Sequence, residues 1–180
     1  LHDALPILKA DKFDIAMGGV TETAARAKDF ALSQPVVPNG KIALANCAAA
    51  PALGSLEKID QPNVKVVVNP GGTNQSFVDE HIKQAQIIRV KNNIDNLEAL
   101  RQKTADMMVT DLIEGVYYES NEPGVFCVAN EQPFSGTASF KVYMMNKDNP
   151  QLLDKVNQWL ASQDKNVLKQ KWRIHDQLKP

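Results

Sequence analysis

Val64 to Val90 reads VKVVVNPGGTNQSFVDEHIKQAQIIRV, and this stretch decides the fold. Two short runs rich in β-branched residues, Val64 to Val68 and Ile87 to Val90, enclose a polar-faced segment of helical length, Thr73 to Gln84. Strand, helix, strand is the repeating unit of a parallel α/β sheet, because parallel neighbours can be joined only by a crossover. The turn Asn69-Pro70-Gly71-Gly72-Thr73-Asn74 puts two glycines where the backbone must bend tightly. It leads into a helix N-terminus, whose unpaired N–H groups and positive dipole end suit a carboxylate or phosphate. A plainer reading of the same turn has Thr73 capping the helix.

Outward from this unit the pattern repeats. Met107 to Val109 and Val125 to Ala129 are further strand candidates, and Asn96 to Lys103 and Asp111 to Ser120 are further crossover helices. Two longer strands, Lys41 to Asn46 and Ser139 to Met145, bracket the block, and Phe13 to Ala16 reads as a strand before it. Asn149-Pro150 supplies an N-cap and a first helical residue. Leu152, Leu153, Val156, Trp159 and Leu160 then recur at helical spacing, and a second helix follows from Lys165 to Trp172. Met107, Met108, Met144 and Met145 read as core filler.

This order predicts a nested organisation. Residues 46–138 form one α/β lobe, and residues 1–45 and 139–180 meet in another. The two long strands join the lobes as a hinge, with a cleft between them. The flanking lobe is thin, which leads to the expectation that an N-terminal portion of it is missing. Leu1 to Ile7 (LHDALPI) lacks the pattern of a signal peptide and reads as foreign to the fold, with a short native helix as the alternative.

Composition narrows the function. The 180 residues are 43% hydrophobic and 23% charged, with 20 basic and 21 acidic side chains, as in an ordinary globular protein. Such a balance gives no electrostatic case for nucleic-acid binding. No apolar run approaches the roughly 18 residues a membrane helix needs, so no membrane partner is expected. His2, His81 and His175 stand apart from one another and from Cys or carboxylates at ligand spacing, so no zinc site is expected. GxSxG, Walker A and GxGxxG motifs are absent, which removes the commonest hydrolase and nucleotide signatures. Cys47 and Cys127 are read either as a disulfide or as two buried thiols.

Four groups of residues are candidates for chemistry. The NPGGTN turn is one. Gly18-Gly19-Val20-Thr21 with Arg26 is another, since an Arg beside a glycine turn can clamp a carboxylate bidentately. Lys41 opens a long strand after Pro38-Asn39-Gly40, where a lone Lys usually faces solvent. Asp111 and Glu114 follow the apolar run DMMV and, three residues apart at a helix start, would share a face. Acidic enrichment of a first helical turn is the ordinary explanation of such a pair.

Taken together, these pieces carry a resemblance. GGVTETAARAKDF (Gly18 to Phe30) is similar to the ligand-binding segment of the bacterial extracellular solute-binding proteins of family 3, which serve polar amino acids. The NPGGTN turn, the sequence MMVTDLIE (Met107 to Glu114) and EQPF (residues 131–134) look like the cyclohexadienyl dehydratases, enzymes built on that binding-protein fold. The resemblance runs from about Lys9 to Trp172. It implies a type II periplasmic binding protein-like α/β fold of two lobes, N-terminally truncated here, and a periplasmic location. It also implies conversion of prephenate to phenylpyruvate and of arogenate to phenylalanine, without a cofactor. Glu114 then stands at the general acid and Lys41 at a cleft lysine. Thr21 and Arg26 match the first-lobe carboxylate site, and Asn69, Thr73 and Asn74 match a polar site on the second lobe. Asp111 matches the residue that takes a ligand ammonium in plain binding proteins. The partner expected is a small molecule, prephenate or arogenate, with room for a homo-oligomer. The alternative function is the substrate-binding component of an ABC importer for polar amino acids or small carboxylates.

Overall fold

Helix and strand segments follow from the apolar periodicity, but the direction of one strand does not. The computed structural model describes residues 4–130 and 132–171. The chain opens with α1 (Ala4–Lys9), β1 (Ile15–Thr21), α2 (Ala24–Asp29), β2 (Ala31–Leu32) and β3 (Val37–Asn39). It continues through β4 (Lys41–Asn46), α3 (Leu56–Ile59), β5 (Lys65–Val68), α4 (Gly72–His81), β6 (Gln86–Arg89), α5 (Asn93–Arg101), β7 (Met107–Asp111), α6 (Leu112–Asn121) and β8 (Phe126–Val128). It closes with β9 (Ser139–Met145), α7 (Pro150–Ser162) and α8 (Lys165–Lys171). Trp172, expected in the last helix, lies outside the described residues, as do His2, His175 and Glu131.

These elements fall into two compact units. One holds the described residues up to Asn39 and those from Ser139 to Lys171, and the other holds Gly40–Ala138. Lys41–Asn46 and Ser139–Met145 were expected as hinge strands. Each takes its pairing within one unit's sheet, and residues 40–45, expected with residues 1–39, fall in the second unit. β4 pairs with β7 over Lys41–Ala45 and with β8 over Leu44–Asn46, and all six of its residues are buried, which seats it in the second unit's sheet.

In the first unit β9 pairs antiparallel with β1, β2 and β3. Gly18 and Gly19 were expected in a turn after a strand ending near Ala16. They instead lie within β1, where the register shifts between Ala16 and Val20 and pairing resumes at Val20 with Val142. Gly19 supplies the positive φ of 69° that lets the strand bulge and continue. Leu8, Val20, Phe30, Val142 and Met144 form this unit's core, with Leu5 packed against it. From Ala4 onward the start of the chain is therefore a short helix seated on the core, which is the alternative given above for Leu1 to Ile7. In α7 the Asn149 side chain accepts from the Leu152 N–H at 3.1 Å, as the Asn-Pro signal predicts.

The second unit is a five-stranded sheet in the order β6-β5-β7-β4-β8. β5 runs parallel to β6 and β7, while β4 is antiparallel to both β7 and β8. The parallel sheet predicted from the strand and helix alternation is thus a mixed one. Each strand from β6 to β8 arrives through a helix and keeps the direction of β5; β4 enters directly from the first unit and is under no such constraint. Val66, Val68, Phe77, Val78, Met107 and Val109 are among the buried residues of its core. Met107, Met108, Met144 and Met145 are all buried, as expected of core filler.

Cys47 and Cys127 form a disulfide across a separation of 80 residues, tying the end of β4 to β8. Reducing it is expected to cost about 4 kcal/mol of unfolding free energy in the chain-entropy account, read as a lower urea midpoint. An unchanged midpoint would show that the bridge contributes nothing. Asp60 is a second stabilising feature. Desolvation raises its carboxyl pKa, but hydrogen bonds from the N–H groups of Gln84, Ala85 and Lys83, with the Lys83 charge, outweigh this and hold it below the ordinary 3.8. A carboxyl lowered on folding stabilises above its unfolded pKa and loses that contribution as pH falls through the folded value. Acid unfolding monitored below pH ~4 is therefore expected to be less steep in Asp60→Asn than in the parent.

Candidate functional site

β4 and β7 lie side by side in antiparallel register, and the register puts Lys41 directly opposite Asp111. Cross-strand partners on one face of a sheet sit close enough to interact, so this pairing alone brings an ammonium and a carboxylate together. The Lys41 Nζ donates to Asp111 Oδ1 at 2.7 Å, and both residues are buried, at 7% and 9% exposure. Lys41 also donates to Thr73 Oγ1 and to Asn74 Oδ1, each at 2.6 Å. Three acceptors thus meet the three N–H donors of an ammonium group. Lys41 is therefore buried and does not face solvent, because a buried ammonium survives only with such partners and here it has them.

Thr73 and Asn74 reach Lys41 because of the glycines before them. Gly71 and Gly72 both adopt positive φ, 86° and 74°, a conformation that side chains other than hydrogen strongly disfavour. α4 starts at Gly72, so Thr73 lies within its first turn and does not cap it. The Gln75 side chain reaches back and accepts from the Gly71 N–H at 2.7 Å, while no side chain caps α4. The hydroxyl of Thr73 is left to the lysine.

Asp111 and Glu114 do not act as a pair on one helix face. Asp111 is the N-cap of α6, with extended φ and ψ of −79° and 143°, and its side chain makes no capping hydrogen bond. It turns to Lys41, whereas Glu114 has other partners. Glu114 Oε1 accepts from Asn93 Nδ2 at 2.8 Å, and Oε2 is in close contact with the Thr110 hydroxyl. Tyr118, one turn on, titrates above its ordinary 10, because of burial first and of the nearby Glu114 charge second. Behind Glu114, Gly115 lets α6 lie close on β4: a Cβ there would stand 2.6 Å from Ile42 Cδ1.

Asn69, at the end of β5, is not among the Lys41 partners. Its Oδ1 accepts from Asn96 Nδ2 at 2.6 Å, and Asn96 also donates more weakly to Asn93 Oδ1 at 3.4 Å. Asn93, Asn96 and Thr110 escaped the sequence reading. The signal for Asn96 was an amide in mid-helix among Leu97 and Leu100, where Asn is unfavourable unless something holds it.

In the first unit, Thr21 ends β1 and Arg26 lies in α2, whose N-cap is Thr23. Arg26 Nη1 donates to the Thr21 carbonyl at 2.6 Å. Lys141, buried in β9, donates to Thr21 Oγ1 and to the Gly19 carbonyl, both at 2.9 Å. Two cations therefore converge on Thr21. Lys141 is a third element of this group that the sequence reading missed; a Lys inside an otherwise apolar β-run was the available sign. Among the described residues, no three His, Cys, Asp or Glu side chains come together as metal ligands.

Comparison with known proteins gives a consistent picture. The model of bacterial extracellular solute-binding proteins, family 3, matches residues 1–174. Cyclohexadienyl dehydratase of Pseudomonas aeruginosa is 34% identical over 150 residues, which are 83% of this chain and 55% of the relative. The chain thus spans little more than half the length of that relative. Among solved structures, an ancestral amino acid-binding protein described as a precursor of cyclohexadienyl dehydratase superposes with a TM-score of 0.81 at 30% identity, over 95% of this chain and 74% of its own. An ancestral cyclohexadienyl dehydratase is 39% identical over 94% of this chain and 69% of its own, with a TM-score of 0.52.

Lys41→Met tests the central ion pair. Removing one partner of a buried pair strands the other, so the substitution is expected to destabilise by about 3–5 kcal/mol in urea unfolding. A loss under 1 kcal/mol would mean that Asp111 is compensated elsewhere.

Proposed function

This chain belongs to the bacterial extracellular solute-binding proteins, family 3, and on that premise we propose that it is a periplasmic dehydratase of the cyclohexadienyl type. In this reading it converts prephenate to phenylpyruvate and arogenate to phenylalanine. The observation that carries it is the separation of the two acids: Asp111 is engaged by the Lys41 ammonium, and Glu114, three residues on, is held by neutral donors only. A plain amino-acid binder needs its Asp for the ligand ammonium. Here an internal ammonium already stands at Asp111 Oδ1, which suits a ligand rich in carboxylates better than an α-amino acid.

The chemistry asks little of the protein beyond orientation and one proton. Glu114, when protonated, gives its proton to the departing ring hydroxyl, which leaves as water. The bond from the ring to its carboxylate breaks, carbon dioxide leaves, and the electron pair enters the ring to complete its aromatic system. Glu114 recovers a proton from solvent. Within the second unit, Asn69, Thr73 and Asn74 supply polar contacts and Lys41 keeps Asp111 from repelling a dianionic substrate, while Thr21 and Arg26 are the first unit's own carboxylate-binding group. The disulfide between Cys47 and Cys127 fits an oxidising compartment.

A second reading, the binding component of an ABC importer for amino acids or small carboxylates, is favoured by the likeness to the ancestral amino acid-binding protein. Incubation with prephenate, following phenylpyruvate by its absorbance in alkali, separates the two. Turnover is expected, with a loss of about 10²–10⁴-fold in Glu114→Gln, the scale of a general acid. Micromolar binding of an amino acid in calorimetry without turnover would establish the importer reading instead, and full activity in Glu114→Gln would remove Glu114 from the mechanism.

A further inference from the structure

Asn96 is almost fully buried, at 2% exposure, yet its side-chain oxygen accepts no hydrogen bond from any described residue. An orphaned amide oxygen in a helix interior costs stability, and Asn is in any case a poor mid-helix residue. Leu at this position would avoid both penalties. The side chain's amide nitrogen explains what Asn does there: it donates to Asn69 Oδ1 at 2.6 Å and, at 3.4 Å, to Asn93 Oδ1. Asn93 in turn donates from its own nitrogen to Glu114 Oε1 at 2.8 Å.

We propose that Asn96 and Asn93 are positioning residues for Glu114, forming an amide relay that links the Asn69 end of the NPGGTN turn to the acid. The proposal rests on the function proposed above for its catalytic consequence, but not for its geometry. In each amide of the relay the nitrogen serves the next oxygen, so the polarity runs one way, from Asn96 outward to Asn69 and through Asn93 to Glu114. The arrangement fixes the Asn93 amide with its nitrogen toward Glu114, because its oxygen is already the acceptor of Asn96. Glu114 is thereby held between a fixed donor and the Thr110 hydroxyl, and its carboxyl group has one preferred orientation. A contact made at Asn69 changes the acceptor available to Asn96 and so reaches Glu114 through two side chains. Neither Asn93 nor Asn96 touches a substrate in this scheme.

Two measurements on the full chain test the relay. In the first, Glu114 carries a carbon-13 label at its carboxyl, and its resonance is compared in the parent, Asn93→Ala and Asn96→Leu. Both variants are expected to move it while the urea midpoint of Asn96→Leu stays level or rises. A resonance unmoved in Asn96→Leu overturns the relay, as does a fall in the midpoint that makes Asn96 a structural residue. In the second, prephenate turnover is measured for Asn93→Ala alone and combined with Glu114→Gln. The single variant is expected to lower kcat about tenfold with KM nearly unchanged, and to add nothing in the Glu114→Gln background. Full additivity overturns a role exercised through Glu114. If the parent turns over no prephenate but the resonance moves as expected, the dehydratase reading fails and the relay stands.

Discussion

A buried ammonium facing a buried carboxylate across two strands is the constraint on which the second unit depends. Lys41 and Asp111 lose their hydration together, and neither tolerates the loss without the other. A slip of one residue between β4 and β7 would part them and turn each side chain of β4 to the opposite face; both faces of this strand are buried, so it is the charge pair that singles out the register. The lysine also binds the first turn of α4 through Thr73 and Asn74, and the aspartate stands at the entry to α6. Two helix starts and two strands thus converge on one charge pair. Glu114, Asn69 and their amide partners take their places around that fixed point.

Much of this was legible in local sequence, and what was not had a common cause. The strand and helix alternation from Val64 to Val90 is a periodic signal, and the elements appear within a few residues of where the pattern puts them. The N-cap and Pro at Asn149-Pro150 and the burial of the four strand methionines are equally local. The direction of β4 is not local. It is decided by partners in β7 and β8, more than sixty residues away along the chain. The burial of Lys41 is not local for the same reason: nothing adjacent to it in sequence announces the carboxylate across the sheet.

The site residues divide along the same line. Asp111 and Glu114 at a spacing of three suggest a shared helical face, but a one-residue difference in where α6 begins sends them to different partners. The glycines at 71 and 72 were readable as a tight turn. That the turn delivers Thr73 to a lysine and not to a cap depends on the helix starting at Gly72, one residue earlier than the pattern suggests. Asn96 and Lys141 carried weak signs, a polar residue where the surrounding pattern asks for an apolar one. Such violations of a local rule mark functional positions more often than errors of folding.

The sheet order has a consequence for how the chain is made. Both units place in their interior a strand that is remote in sequence from its partners: β4 between β7 and β8, and β9 against β1. A chain emerging vectorially from the ribosome or a translocation pore presents β4 long before anything can cover it. Its apolar residues, Ile42 to Ala45, must wait until β7 and then β8 have appeared. The first unit waits longer, since β1 finds its partner only after the whole second unit has been synthesised. Completion is therefore held back to the last strand, and a nascent chain of this topology is a natural client for holding factors that shield unpaired strands.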